Sequence, residues 1–166
     1  MPLSKDEIKK SYPLPAYNYR VGFFEGDFAQ GKEATFIGFS QVTGLNIEYE
    51  HVTYKNGLSF LSGFNIVRGM ANPVKVTMKK GMIRNKHKDF LYRWLKSEDK
   101  FLFANSLTKD IIIDLCDEAG AAVVRWLVKG AVPVRMEMPE FNSNDNEVAI
   151  ETLEVVAHSL KVSFNL

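Results

Sequence analysis

Three histidines (His51, His87 and His158), one cysteine (Cys116) and the carboxylate pair Glu48 and Glu50 have the side-chain types for chemistry in this 166-residue chain. A structural or catalytic zinc site draws on Cys and His at short, regular spacings. The histidines are far apart in sequence and the single cysteine has no partner in a CxxC frame, so no metal ligand is assigned. A nucleophile needs an adjacent base or a depressed pKa. Cys116 ends the apolar run IIIDLC and reads as a small buried hydrophobe. Glu48 and Glu50 could share acid–base work, but no second element offers them a partner, and a solvated or interface face fits them better. The phosphate-cradling GxxxxGK[ST] and the GxSxG elbow are both missing. The basic run Met78–Lys88 lacks the interleaved aromatics that stack on bases, and reads as a solvated turn leading into a helix. An enzymatic reading would have to rest on His87 or His158 with carboxylates brought near by folding. No catalytic, cofactor-binding or metal-binding residue is assigned, and no cofactor is expected.

The elements that must position these residues are mostly strands. Residues 1–18 are polar, then broken by Pro13 and Pro15, and form an arm to a single domain over 19–166. Strands are expected over Tyr19–Phe24, Phe36–Thr43 and Leu45–Tyr54. In the last of these, Leu45, Ile47 and Tyr49 alternate with Asn46, Glu48 and Glu50, the pattern of a half-buried strand. Val74–Lys79 alternates in the same way and Gly81 ends it. Asn85–Leu95 reads as a helix, with Phe90, Leu91, Trp94 and Leu95 on one face and Asn85 as N-cap. Asp110–Cys116 and Val123–Val132 are strands joined by an Asp117–Gly120 turn, with Pro133 expected to break or bend the second and Val134–Met138 able to continue it. Val148–His158 is ambiguous, since Ala149, Leu153 and Val156 would suit a helix, but its β-branched content and the continuation through Leu160, Val162 and Phe164 favour strand. About seven or eight strands and one helix imply a mainly β fold of two packed antiparallel sheets, a sandwich or barrel, with the helix on one flank.

Composition is that of an ordinary globular domain, at 46% hydrophobic and 25% charged residues. A net charge of +1 from 21 basic and 20 acidic residues argues against a bulk polyanionic partner, nucleic acid or anionic membrane. The opening MPLSKDEIKK contains no apolar run, so synthesis in the cytoplasm without a signal peptide is expected, with any later release left to lysis or a dedicated machine.

Lys55–Asn72 differs from its surroundings. It spaces Gly57, Gly63 and Gly69 among Leu58, Phe60, Leu61, Phe64, Ile66 and Val67, too apolar for a solvated linker. Such a loop either covers its own core or lies on a neighbouring subunit. Long strands with open edges likewise invite pairing with further copies, and head-to-tail contacts close into rings when the rotation allows.

The ordered set YPLPAYNYRV, FSQVTGLNIEYEHVTYKNG, VKVTMKKGM, Leu91-Tyr92-Arg93-Trp94, DIIIDLCDEAGAAVVRWLVKGAVPVRMEMPEFN and NEVAIETLEVVAHSLKV resembles the tail-tube family of contractile phages and of extracellular contractile injection systems. The resemblance spans about residues 12 to 163. It implies a fold shared with the type VI secretion tube protein, and six copies joined sheet to sheet into rings that stack as a hollow inner tube. It also implies sheath and baseplate partners, possible cargo in the lumen, no sequence-specific nucleic-acid recognition, no membrane insertion and no catalysis. The segment after Tyr54-Lys55-Asn56-Gly57 would reach a neighbouring subunit or ring, although GFNIVRGMANP departs from the family's proline-glycine pattern near Gly69. Expected inter-subunit or inter-ring contacts are Lys55, Leu58, Phe60, Leu61, Phe64, Ile66 and Arg68. Expected ring- or lumen-facing charges are Glu48, Glu50, Lys79 and Lys80. The alternative is a monomeric β-sandwich that binds a ligand in a groove.

Overall fold

The computed structural model describes residues 12–25, 28, 33–83, 89–96, 108–144 and 147–164. Along the chain these form β1 (Tyr19–Glu25), β2 (Thr35–Ile37), β3 (Gln41–Thr43), β4 (Tyr49–Tyr54), α1 (Ser59–Ser62), β5 (Asn65–Ala71) and β6 (Val74–Gly81). They continue with α2 (Asp89–Lys96), β7 (Lys109–Cys116), β8 (Ala122–Glu137), β9 (Ile150–Ala157) and β10 (Ser159–Phe164). The fold is mainly β, with two antiparallel sheets.

The organising element is β8, whose 16 residues belong to both sheets. Its first half pairs β7 on one side and β10 on the other, Trp126 standing opposite both Ile113 and Val162. That sheet continues through β1 to β2. Its second half pairs β9, with Met136 opposite Leu153, and this sheet continues through β6 to β3. The change of sheet occurs at Gly130, which has φ of 62°. Its N–H donates to Asp110 Oδ1 at 2.9 Å. The neighbouring strand turns at the same level, where the His158 N–H donates to the Lys129 carbonyl at 3.0 Å and separates β9 from β10.

Strand alternation builds the core between the sheets. Val21 and Phe23 of β1, Ile111 and Ile113 of β7 and Val128 of β8 are buried together with Val74, Val76 and Met78 of β6 and Leu153 and Val155 of β9. α2 flanks this core with Leu91 and Trp94 buried and Phe90 and Leu95 half-buried, the face expected from helical spacing. Phe23 meets Phe90 and Trp94 edge to face at centroid distances of 5.7 and 5.9 Å, a favoured aromatic geometry.

The other face of the first sheet contains a buried charge. Arg20, Asp114 and Arg125 stand in one row across β1, β7 and β8. The Asp114 side chain is 0% exposed. It accepts from Arg125 Nε at 2.6 Å, Arg125 Nη2 at 2.9 Å and Arg20 Nε at 3.1 Å. Burial pushes the Asp114 carboxyl up, but the hydrogen bonds and charges of Arg125 and Arg20 together outweigh it and hold it below the ordinary carboxylate range.

Several boundaries differ from the expectations. The single strand expected over Phe36–Thr43 is two strands in different sheets, because the chain crosses at Gly38–Ser40 and Ser40 ties back to the Lys79 carbonyl. Leu45–Tyr54 is strand only from Tyr49, since Gly44 turns with φ of 88° and the Asn46 N–H closes on the Gly44 carbonyl. The segment Lys55–Asn72, expected as a loop, contains α1 and β5. At Pro133 the expected irregularity is a register shift between Pro133 and Arg135, where a residue without an N–H is tolerated, and β8 continues past it to Glu137 as the sequence allowed. The Asp117–Gly120 turn forms as expected, with Asp117 Oδ1 accepting the Ala119 and Ala121 N–H groups at 2.9 and 2.8 Å and Gly120 at φ of 82°. The helix start at Asn85, and His87 and Lys88, lie outside the described residues.

Asp114→Ala leaves two arginines facing a buried gap and is expected to lower unfolding free energy by about 3 kcal/mol at neutral pH, the low end for a broken buried pair because both arginines are partly solvated. Denaturant unfolding measures this. A depressed folded pKa makes the Asp114 contribution complete above the unfolded value of about 3.9 and lost as pH falls through the lower folded value. Wild-type stability should therefore fall more steeply than that of Asp114→Ala in acid titrations below about pH 4.

Candidate assembly surface

β4 and β5 form a two-stranded sheet apart from the rest, with His51 opposite Arg68, Val52 opposite Val67 and Thr53 opposite Ile66. A local network shapes its tip. Asn56 Oδ1 accepts the Leu58 N–H at 3.0 Å and Ser59 Oγ accepts the Asn56 N–H at 2.7 Å. The turn leads into the single helical turn α1, stopped where Gly63, at φ of 79°, returns its N–H to the Ser59 carbonyl. At the base, the Asn72 N–H donates to the Glu48 carbonyl at 2.9 Å. The Arg68 guanidinium lies over the Tyr49 ring at 3.3 Å, a cation–π contact that stiffens the arm.

Every residue of β4 and β5 is exposed. Strand alternation therefore hides neither face, and Leu61 at 75% and Met70 at 81% exposure are extreme for apolar side chains. Leu58, Phe64, Ile66, Val67, Val52 and Tyr54 are exposed with them. An isolated two-stranded hairpin is marginal in water, and a contiguous apolar surface of this kind marks an interaction site. The hairpin does not cover its own core. Of the expected contact residues, Lys55, Leu58, Leu61, Phe64, Ile66 and Arg68 share this arm, while the Phe60 side chain lies outside the described residues.

The expected charges divide. Glu48 and Glu50 are exposed at the base of the hairpin, Glu48 accepting from Asn46 Nδ2 at 3.2 Å. Lys79 is exposed on β6. Lys80 is not a surface charge: it is 7% exposed and its ammonium lies 3.5 Å from Glu151. Adjacent strand residues point to opposite faces, so Lys80 shares the buried face of Val74, Val76 and Met78 and needs the carboxylate of its cross-strand partner Glu151.

Among the described residues the chemistry-bearing side chains do not converge. His51 is exposed on β4 and His158 is exposed at the bend, well separated in the topology. Among the described residues no group of three His, Cys, Asp or Glu is placed to hold a metal ion. A cavity of about 330 Å³ between the sheets is lined by Leu14, Tyr19, Val42, Leu45, Ile113 and Trp126 with other residues, none of them from the hairpin. Sequence reasoning did not identify a second exposed apolar group, Phe141 and Val148 between β8 and β9, because they flank a polar stretch that reads as a plain loop.

Comparison with known proteins fits this geometry. The family model described as T4-like virus tail tube protein gp19 matches residues 15–161. A chain from the cryo-EM structure of an extracellular contractile injection system, the PVC sheath-tube complex in extended state, is 26% identical, with a TM-score of 0.79 over 98% of this chain and 99% of that one. A chain of the PVC sheath/tube terminator in extended state is also 26% identical, with a TM-score of 0.76 over 92% of this chain and 98% of that one. The anti-feeding prophage cap, described as the AFP tube terminating cap, gives 26% identity and a TM-score of 0.75 over 93% of each chain. A search of curated protein sequences gives no match.

Because the hairpin side chains are already in water in a single copy, Leu61→Asp and Phe64→Asp should shift monomer unfolding free energy by no more than about 0.5 kcal/mol. Gly44→Ala should destabilise the monomer clearly, since a Cβ there would lie 2.0 Å from the Lys75 carbonyl oxygen in a left-handed conformation. Thermal unfolding of the isolated subunit distinguishes the two classes.

Proposed function

We propose, for a chain that belongs to the T4-like virus tail tube protein gp19 family and is a structural subunit of an inner tube, that six copies close into a ring and that rings stack into a hollow conduit. The observation that carries this reading is the β4–β5 arm, exposed on both faces with many apolar side chains and paired only with itself among the described residues. Burial of each Leu, Ile or Phe on a neighbouring copy contributes about 1.5–3 kcal/mol, which makes the arm the main adhesive element. Lys55, Leu58, Leu61, Phe64, Ile66 and Arg68 are its contact residues.

Sheet edges supply the lateral contact. In the second sheet β3 pairs only β6, and the second half of β8 pairs only β9, among the described residues. The order β3–β6–β9–β8 is antiparallel throughout and has an even number of strands. The free edge of β3 in one copy therefore meets the free edge of β8 in the next in antiparallel sense, and the ladder passes from copy to copy without a break. Glu48, Glu50 and Lys79 are ring- or lumen-facing charges in this arrangement. Lys80, neutralised by Glu151, is not.

The partners are further copies of the chain, sheath and baseplate proteins, and cargo in the lumen. The protein acts within an assembled tail or injection particle, including a released extracellular one, and performs no catalysis. No helix among the described residues is long and apolar enough to cross a membrane.

Leu61→Asp combined with Phe64→Asp should reduce ring and tube yield at least about ten-fold, which requires the loss of only about 1.4 kcal/mol of contact energy, while circular dichroism stays that of the wild type. Negative-stain microscopy and sedimentation provide the measurement. A wild-type chain that stays monomeric at high concentration, with and without its neighbouring particle proteins, would sink the proposal, as would a double variant that assembles normally.

A further inference from the structure

The two sheets do not close on each other everywhere. At the start of β1 the first sheet presents Tyr19, with Leu115 opposite it on β7, and two residues along β7 Ile113 stands opposite Trp126 of β8. The second sheet has little to lay over this corner. Its edge strand β3 has three residues, and Gly44, with φ of 88°, turns the chain away after it. Val42 and Leu45 are therefore only half-buried. The corner is the cavity of about 330 Å³, with Leu14 and Ala16 of the N-terminal arm in its wall. The arm is held beside it where the Asn18 carbonyl accepts the Cys116 N–H at 2.8 Å.

We infer that this corner is a binding site for a neutral two-ring molecule that carries a hydrogen-bond acceptor. The inference is independent of the tube reading. The cavity has about twice the volume of an apolar cavity that holds benzene, which fits two fused rings and falls in the range of small-molecule sites. None of its lining residues is charged, so an ion would enter without a counter-charge. Tyr19 and Trp126 offer it aromatic surface. The donors decide the polar group. The Tyr19 hydroxyl donates to the Phe39 carbonyl at 2.8 Å and the Ser40 hydroxyl to the Lys79 carbonyl at 3.0 Å, so both hydrogens are already used within the protein. The Trp126 indole N–H has no acceptor among the described residues. The Gln41 side-chain amide, on the same cavity, is equally unpartnered among them. A carbonyl or ring nitrogen on the ligand supplies the acceptor.

Coumarin, whose lactone carbonyl is the acceptor, is the probe, with naphthalene as the two-ring comparison that lacks one. Calorimetric titration of the full chain should give one coumarin site per chain with a Kd on the order of 100 μM, the strength open to a ligand of that size. Trp126→Phe keeps an aromatic wall and removes the donor. It should weaken coumarin about five-fold and leave naphthalene unchanged. Val42→Phe and Leu45→Phe fill the cavity, and each variant that circular dichroism shows to be folded should lose coumarin binding. Leu61→Asp/Phe64→Asp, which removes apolar surface from the hairpin, should bind as the wild type does. The inference is overturned if millimolar coumarin does not bind the wild-type chain, if the folded cavity-filling variants still bind it, if the hairpin variant loses it, or if Trp126→Phe affects both probes alike. None of these results bears on whether the chain forms rings or tubes.

Discussion

One backbone N–H sets the layout of the molecule. Gly130 turns β8 out of the first sheet and into the second, and the buried carboxylate of Asp110 accepts its N–H at that point. A left-handed backbone conformation is cheap only for glycine, and a buried N–H needs a partner. Asp110 supplies the partner from the adjacent strand and also accepts the Phe28 N–H at 2.9 Å. With β8 bent, β9 and β10 must bend beside it, and the two apolar faces close on one another around Phe23, Met78 and Leu153. The poles of the second sheet, and thus the places where the hairpin and the β8–β9 connection emerge, follow from that bend.

The chain divides its apolar residues between two tasks. Those of β1, β6, β7 and β9 are largely consumed in the core. Those of β4, α1 and β5 are held in the open by hydrogen bonds that involve no core residue: the ladder between the strands and the Asn56 turn. The backbone of the arm is satisfied locally while its side chains are left for another surface. The arm on its own lacks the burial that a two-stranded hairpin needs for stability in water.

Charge is divided in a similar way. Asp114 with Arg20 and Arg125 staples three strands on the first sheet, and Lys80 with Glu151 joins two strands of the second. Neither set is aimed at a ligand. Other charges stand at the surface: Lys79 on β6, Arg135 with Glu137 and Glu154 on β8 and β9, and Glu48 and Glu50 at the hairpin base. Among the described residues His51 and His158 lie well apart, and Cys116 is buried.

Local pattern alone determined the period-two strand at Val74, the strands at Tyr19 and Asp110, the Asp117–Gly120 turn and the apolar face of Phe90, Leu91, Trp94 and Leu95, because each is set by residues a few positions apart. The apolar character of Lys55–Asn72 was equally plain, as was the lack of any catalytic constellation. Tertiary structure decided the rest. Alternation at Leu45–Tyr49 looks the same whether a strand lies on a core or stands free, and only long-range packing sets β4 apart. The pairing of β5 with β4, the burial of Lys80 and the exposure of Phe141 and Val148 depend on which distant strands come together. The sequence shows how many apolar faces the chain has; the register between distant strands decides which are buried and which stay exposed.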